Sequence, residues 1–96
     1  MKAPDTRKLR DLAGIGKSIE ANLISLGVNS VATLASRDGD KLYKQLCAKT
    51  LTRQDPCVLD TFRCAVAQAR DPRLSTDKCN WWWWSRQRKA GKLSTI

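Results

Sequence analysis

The 96-residue chain contains no histidine. That absence removes the commonest general base and the commonest metal ligand. Acids are scarce, with 9 Asp and Glu against 18 Lys and Arg, and they stand singly along the chain. Cysteine is present, but nine, six and fourteen residues separate Cys47, Cys57, Cys64 and Cys79, unlike the close pairs of a zinc site. No apolar run approaches the roughly 18 residues that a membrane span needs. The start, Met1-Lys2-Ala3-Pro4-Asp5, lacks the apolar segment of a signal peptide. A cytoplasmic protein with reduced thiols and no membrane partner is expected. The length suits one small domain and is too short for a substrate domain plus a cofactor domain. Catalysis is not expected. Nor is a cofactor, with a monovalent cation at the glycine hairpin described next as the one exception allowed.

What the chain does have is positive charge and one distinctive loop. The net charge is +9, which favours a polyanionic partner. Residues 72–96 carry Arg73, Lys78, Arg86, Arg88, Lys89 and Lys92 against Asp77 alone, so the field is strongest there. The loop lies in Leu12-Ala13-Gly14-Ile15-Gly16-Lys17-Ser18. Leu9 and Leu12 before it, and Ile19, Leu23 and Leu26 after it, recur at helical spacing. Two glycines around Ile15 let the backbone take positive φ and approach a ligand closely. Ile15 can then plug the gap between the flanking helices. The amides of Gly16, Lys17 and Ser18 become first-turn donors without helical partners. With the helix dipole and the Lys17 charge they form an anion site suited to a nucleic-acid phosphate. Gly14, Ile15, Gly16, Lys17 and Ser18 are the candidate phosphate-binding residues. A purely structural hairpin is the competing interpretation.

Taken in order, the chain predicts a first helix capped by Asp5 or Thr6 and running to about Leu12. The hairpin spans 12–18, and a second helix follows from about Gly16 to Leu26, ended by Gly27. Asn29-Ser30 caps a short helix, Val31 to Ala35. Asp38 caps another from about Gly39 to Ala48, with Leu42 and Leu46 inward. Residues 30–48 thus form a degenerate second hairpin without the glycine pair. Asp55-Pro56 starts a helix that runs to about Arg70, with Leu59, Phe62 and Val66 as its apolar face. Asp71-Pro72 stops it. Residues 1–71 then constitute the helical domain, and 72–96 a basic, Trp-rich tail packing partly on it. No amphipathic helix is expected in 73–96.

Residues 6–28 resemble the helix–hairpin–helix motifs of DNA repair and processing proteins. The span from about 6 to 84 is similar to a small bacterial family, the pathogenicity-locus family, whose members are described as mitomycin-resistance proteins. The residues that carry this are Leu12 to Ser18, Leu26-Gly27-Val28, Gln54-Asp55-Pro56-Cys57-Val58-Leu59-Asp60 with Phe62-Arg63, and the Trp cluster. The resemblance implies an all-α fold of tandem helix–hairpin–helix-like units, about five short helices, with DNA bound through the first hairpin. Two positions depart from the pattern. Ala13 stands where such hairpins usually have proline, and Trp81-Trp82-Trp83-Trp84 is uninterrupted. Some helix–hairpin–helix glycosylases place a catalytic Asp after the hairpin; Asp38 is the only candidate here and is expected to cap a helix instead.

The remaining constellations have two meanings each. Cys57 and Cys64 are seven apart on one helix and so share a face, and they are expected to be structural thiols. In the sharper alternative, the dipole at the helix start lowers the Cys57 thiol pKa. Four adjacent Trp cannot all face inward, so some pack while others stay at the surface. Trp82 and Trp84 are the candidates for stacking on unpaired bases. Lys8, Arg10, Lys44, Arg86, Arg88 and Lys89 would add sequence-independent attraction to DNA. The expected function is non-sequence-specific DNA binding accessory to repair or processing. The alternative is a protein–protein adaptor that uses the same scaffold and the Trp-rich tail.

Overall fold

The computed structural model, which describes residues 7–91, builds the chain around its longest helix, α4 (Pro56–Arg70). The start follows from chemistry: Asp55 accepts a hydrogen bond from the Cys57 amide at 2.8 Å, and Pro56 sits where a missing N–H costs nothing. The expected apolar face of Leu59, Phe62, Ala65, Val66 and Ala69 is buried. So are the polar Asp60, Thr61, Arg63 and Gln68, so α4 is covered on nearly every side. The chain is organised by this helix, with the glycine hairpin fastened to it.

Among the described residues every regular element is helical. A 3-10 turn, Leu9–Asp11, precedes α1 (Lys17–Ser25), α2 (Val31–Ala35) and α3 (Gly39–Thr50). After α4 come a second 3-10 turn, Thr76–Cys79, and α5 (Trp81–Lys89). Helices α2, α3 and α5 and the second 3-10 turn all pack on α4. Leu23, Val28, Val31, Leu34, Leu42 and Leu46 join Leu59 and Phe62 in one continuous core.

Side chains fasten the helix ends across the fold. Asp38 caps α3 as expected, accepting from the amides of Asp40 at 2.8 Å and Lys41 at 3.4 Å. Ser30 caps α2 through the Thr33 amide. Lys49 donates to the Ser25 carbonyl at the end of α1, and Arg70 to the carbonyls of Ala35 and Arg37 at the end of α2. Arg63 forks onto Asp40 at 2.5 and 3.0 Å. Beside that pair, a Cβ built on Gly39 would lie 3.0 Å from the Arg63 backbone, so α3 and α4 approach so closely that a side chain there would push α4 back by a few tenths of an ångström.

Two expectations are corrected. In place of a first helix reaching Leu12, the described residues hold a single 3-10 turn, closed by the Lys8 amide on the Asp11 carboxylate at 2.7 Å. Leu12 is already extended (ψ 138°), which turns the chain into the hairpin. The Asp5 and Thr6 caps lie outside the described residues. The second correction concerns residues 73–96, where no helix was expected: Trp81–Lys89 is helical. It is held there by a bidentate pair, Arg88 to Asp60, with both contacts at 3.0 Å. Asp60 is 0 % exposed, so α5 brings a cation to a carboxylate that water does not reach.

Candidate nucleic-acid interface

The loop of residues 13–18 follows a 3-10 turn and leads into α1. Gly14 takes φ +86°, a region that disfavours any side chain. Gly16 is extended (φ −95°, ψ −171°) and caps α1 without a side chain. Between them Ile15 is buried in the core, while Gly14, Gly16, Lys17 and Ser18 are exposed. Among the described residues the amides of Gly16, Lys17 and Ser18 have no acceptor; the first bond that closes α1 runs from Glu20 to the Gly16 carbonyl. The loop therefore presents a row of outward donors at the positive end of a helix, beside one lysine.

This loop is fixed to α4 by a residue the sequence pattern did not single out. The Gln68 carboxamide accepts from the Ala13 amide and donates to the Ala13 carbonyl, each at 2.9 Å. Its Nε2 also donates to Cys64 Sγ at 3.3 Å, and Cys64 Sγ donates in turn to the Lys78 carbonyl. The Trp84 indole N–H reaches the same carbonyl at 2.9 Å. One polar chain thus links the hairpin, α4 and the C-terminal elements. Glutamine on a helix of otherwise apolar periodicity carries no signal that it is buried, which is why it was missed.

The auxiliary cations separate into two groups. Lys8, Lys44 and Lys89 are exposed. Arg10 is exposed and sits 3.9 Å from Glu20. Arg86 is exposed and lies over the Trp82 ring, 4.3 Å from its centre. Arg88, by contrast, is committed to Asp60, whose hydrogen bond holds its guanidinium above the ordinary pKa. Its charge is compensated, and the structure removes it from the set of outward cations.

The four tryptophans divide as four successive helical positions must. Trp81 and Trp82 are exposed; Trp83 and Trp84 are half-buried, edge to face, with ring centres 5.1 Å apart. Trp84 is tied by its N–H and turns toward a cleft of about 300 Å³ bordered by Asp38, Asp40, Arg63 and Arg70. The arginines there are engaged with Asp40 and with backbone carbonyls. Trp82 instead shares a groove with Trp83, Asp77, Arg86 and Gln87. Trp82 and Trp84 therefore face different surfaces, and Trp83 lines the groove beside Trp82.

The cysteines are free. Cys57 and Cys64 do not share an environment: Cys57 is exposed at the start of α4, whereas Cys64 is buried under the second 3-10 turn. The thiol of Cys57 is raised rather than lowered, chiefly by its hydrogen bond to the Asp55 carboxylate, so the capping acid outweighs the helix dipole. Burial pushes the Cys64 thiol up to about 11. No cluster of metal-ligating side chains occurs among the described residues, and no helix there is long and apolar enough to cross a membrane.

Fold and site together define a small all-helical domain that presents an exposed, glycine-built loop of backbone amides. The sequence model of the family described as Pathogenicity locus matches residues 2–90, and the chain belongs to that family. It is similar to the mitomycin resistance protein McrB of Streptomyces lavendulae, with 33 % identity over 89 residues that cover 93 % of this chain and 81 % of that protein. No solved structure matches it. Neither description names a catalytic activity.

Proposed function

We propose that this protein binds DNA phosphates at the Gly14–Ser18 hairpin, without sequence preference, as a non-catalytic accessory to DNA repair or processing. The observation that carries the proposal is the loop itself. Three exposed amides without acceptors stand beside Lys17 at a helix start, while Ile15 and Gln68 hold the turn rigid from within. A preformed amide row next to a fixed positive charge favours an anion and loses no ordering entropy on binding one. The outward cations Lys8, Lys44, Arg86 and Lys89 add the long-range attraction of a protein with net charge +9. The relative's name speaks of resistance and not of an enzyme, which sits with a binding role.

Gly16→Asp separates this function from the fold. A Cβ at position 16 meets nothing within 4 Å, and the extended backbone there suits aspartate as a helix cap. The variant should fold at least as stably as the wild type while placing a carboxylate where the phosphate binds. Fluorescence anisotropy on a labelled duplex at low salt should then show binding weaker by on the order of tenfold, the effect of one like charge at contact. Unchanged affinity would reject the hairpin as the phosphate site. The same scaffold would then serve as a protein-binding adaptor.

A further inference from the structure

The groove between the second 3-10 turn and α5 has features that a phosphate site does not need. It encloses about 440 Å³ and is lined by Asp77, Trp82, Trp83, Arg86, Gln87 and Ala90. Trp82 is 41 % exposed although it is the largest kind of apolar side chain. The Arg86 guanidinium covers one face of its ring at 4.3 Å, and the Lys78 ammonium stands 5.5 Å from the Trp83 ring. Each indole is thus paired with a cation. Asp77 adds an acceptor to the groove itself. A phosphate is disfavoured beside that carboxylate, whereas an N–H on the edge of a nucleobase, such as thymine N3–H, can donate to it.

We propose that this groove takes an unpaired base of single-stranded DNA, stacked on Trp82, with the neighbouring phosphates attracted by Lys78 and Arg86. The proposal rests on reading the protein as DNA-binding and names the form of DNA it prefers. Charge complementarity favours a nucleic acid over a protein here: with Arg88 held by Asp60, the exposed Arg73, Lys78, Arg86 and Lys89 face Asp77 alone among residues 72–91. Position favours it too. The hairpin meets α4 at Gln68, the Lys78 carbonyl meets it at Cys64 one turn earlier, and Gln68 bonds to Cys64. The amide loop and the aromatic groove are therefore anchored on neighbouring turns of one helix. A fork offers a duplex phosphate to the loop and an unpaired base to the groove.

The test compares three 12-nucleotide probes at fixed salt: an oligothymidylate, an abasic strand with the same phosphates, and a duplex. Wild type should bind the oligothymidylate at least about fivefold more tightly than the abasic strand, the lower end of the stacking contribution of one base. Trp82→Ala should erase that ratio, Trp82→Phe should keep part of it, and neither should change duplex affinity or the far-ultraviolet circular dichroism. Equal binding of both strands by wild type, or a ratio indifferent to Trp82→Ala, would overturn the proposal and leave the exposed indoles to a protein partner. Gly16→Asp in the same assay keeps the two ideas apart. If it changes nothing while Trp82→Ala erases the ratio, the groove stands and the hairpin falls.

Discussion

Gln68 grips Ala13 by both halves of its peptide group, accepting from the amide and donating to the carbonyl at 2.9 Å each. The pairing explains a departure visible in the sequence. Hairpins of the kind this chain resembles usually place proline at the position of Ala13, which stiffens the turn but has no N–H to give. Here the stiffness comes from α4, and alanine supplies the donor. Ala13→Pro should therefore destabilise the protein. The rigidity gained is worth about 0.4–1 kcal/mol at best, while the buried carboxamide left short of a donor costs about 1–3 kcal/mol. Urea denaturation should show a lower midpoint, and a midpoint at or above wild type would mean that the clamp contributes little.

The Asp60–Arg88 pair makes a stronger claim on stability. Arg88→Ala leaves a carboxylate buried without its partner and should cost about 3 kcal/mol or more. Replacing both groups by apolar ones of similar size, Asp60→Leu with Arg88→Met, should recover most of that loss, because the desolvation cost of both charges disappears with them. The comparison of the three unfolding curves decides it. A double variant as unstable as the single one would show that the pair itself, and not the stranded acid, holds α5.

Thiol chemistry at Cys57 should be slow despite its exposure. Its pKa is raised by the Asp55 carboxylate, so less of it is thiolate at any neutral pH, and its alkylation profile shifts to higher pH. Asp55→Asn keeps a good helix cap but removes the charge. The alkylation of Cys57 by iodoacetamide, followed peptide by peptide, should speed up at neutral pH and its midpoint should move downward. A rate that stays the same would mean that the hydrogen bond, which asparagine can still accept, accounts for the whole shift.

Where caps and apolar spacing agree, the sequence was readable to the residue. Ser30 before Val31, and Asp55-Pro56 with Asp71-Pro72, bracket α2 and α4 as the structure has them. The plug at Ile15 and the open amides beside it follow from glycine spacing alone. What stayed hidden is the far side of α4. Asp60, Arg63 and Gln68 fall on positions that an apolar count assigns to solvent, and only their distant partners Arg88, Asp40 and Ala13 make burial tolerable. Helix α5 stayed hidden for a related reason. Four tryptophans in succession point in four directions, so no apolar stripe announces it, and the buried acid that its Arg88 reaches lies 28 residues away in the chain.

That docking changes what the C-terminal quarter of the chain is. A reader of the sequence sees an appendage after Pro72, yet the second 3-10 turn and α5 roof the buried carboxylate of Asp60 and the buried thiol of Cys64. A cell that made this chain with an early stop near Pro72 would not hold a trimmed protein with a weaker grip. It would hold an unroofed helix, wet on its inner side, and a ready meal for proteases.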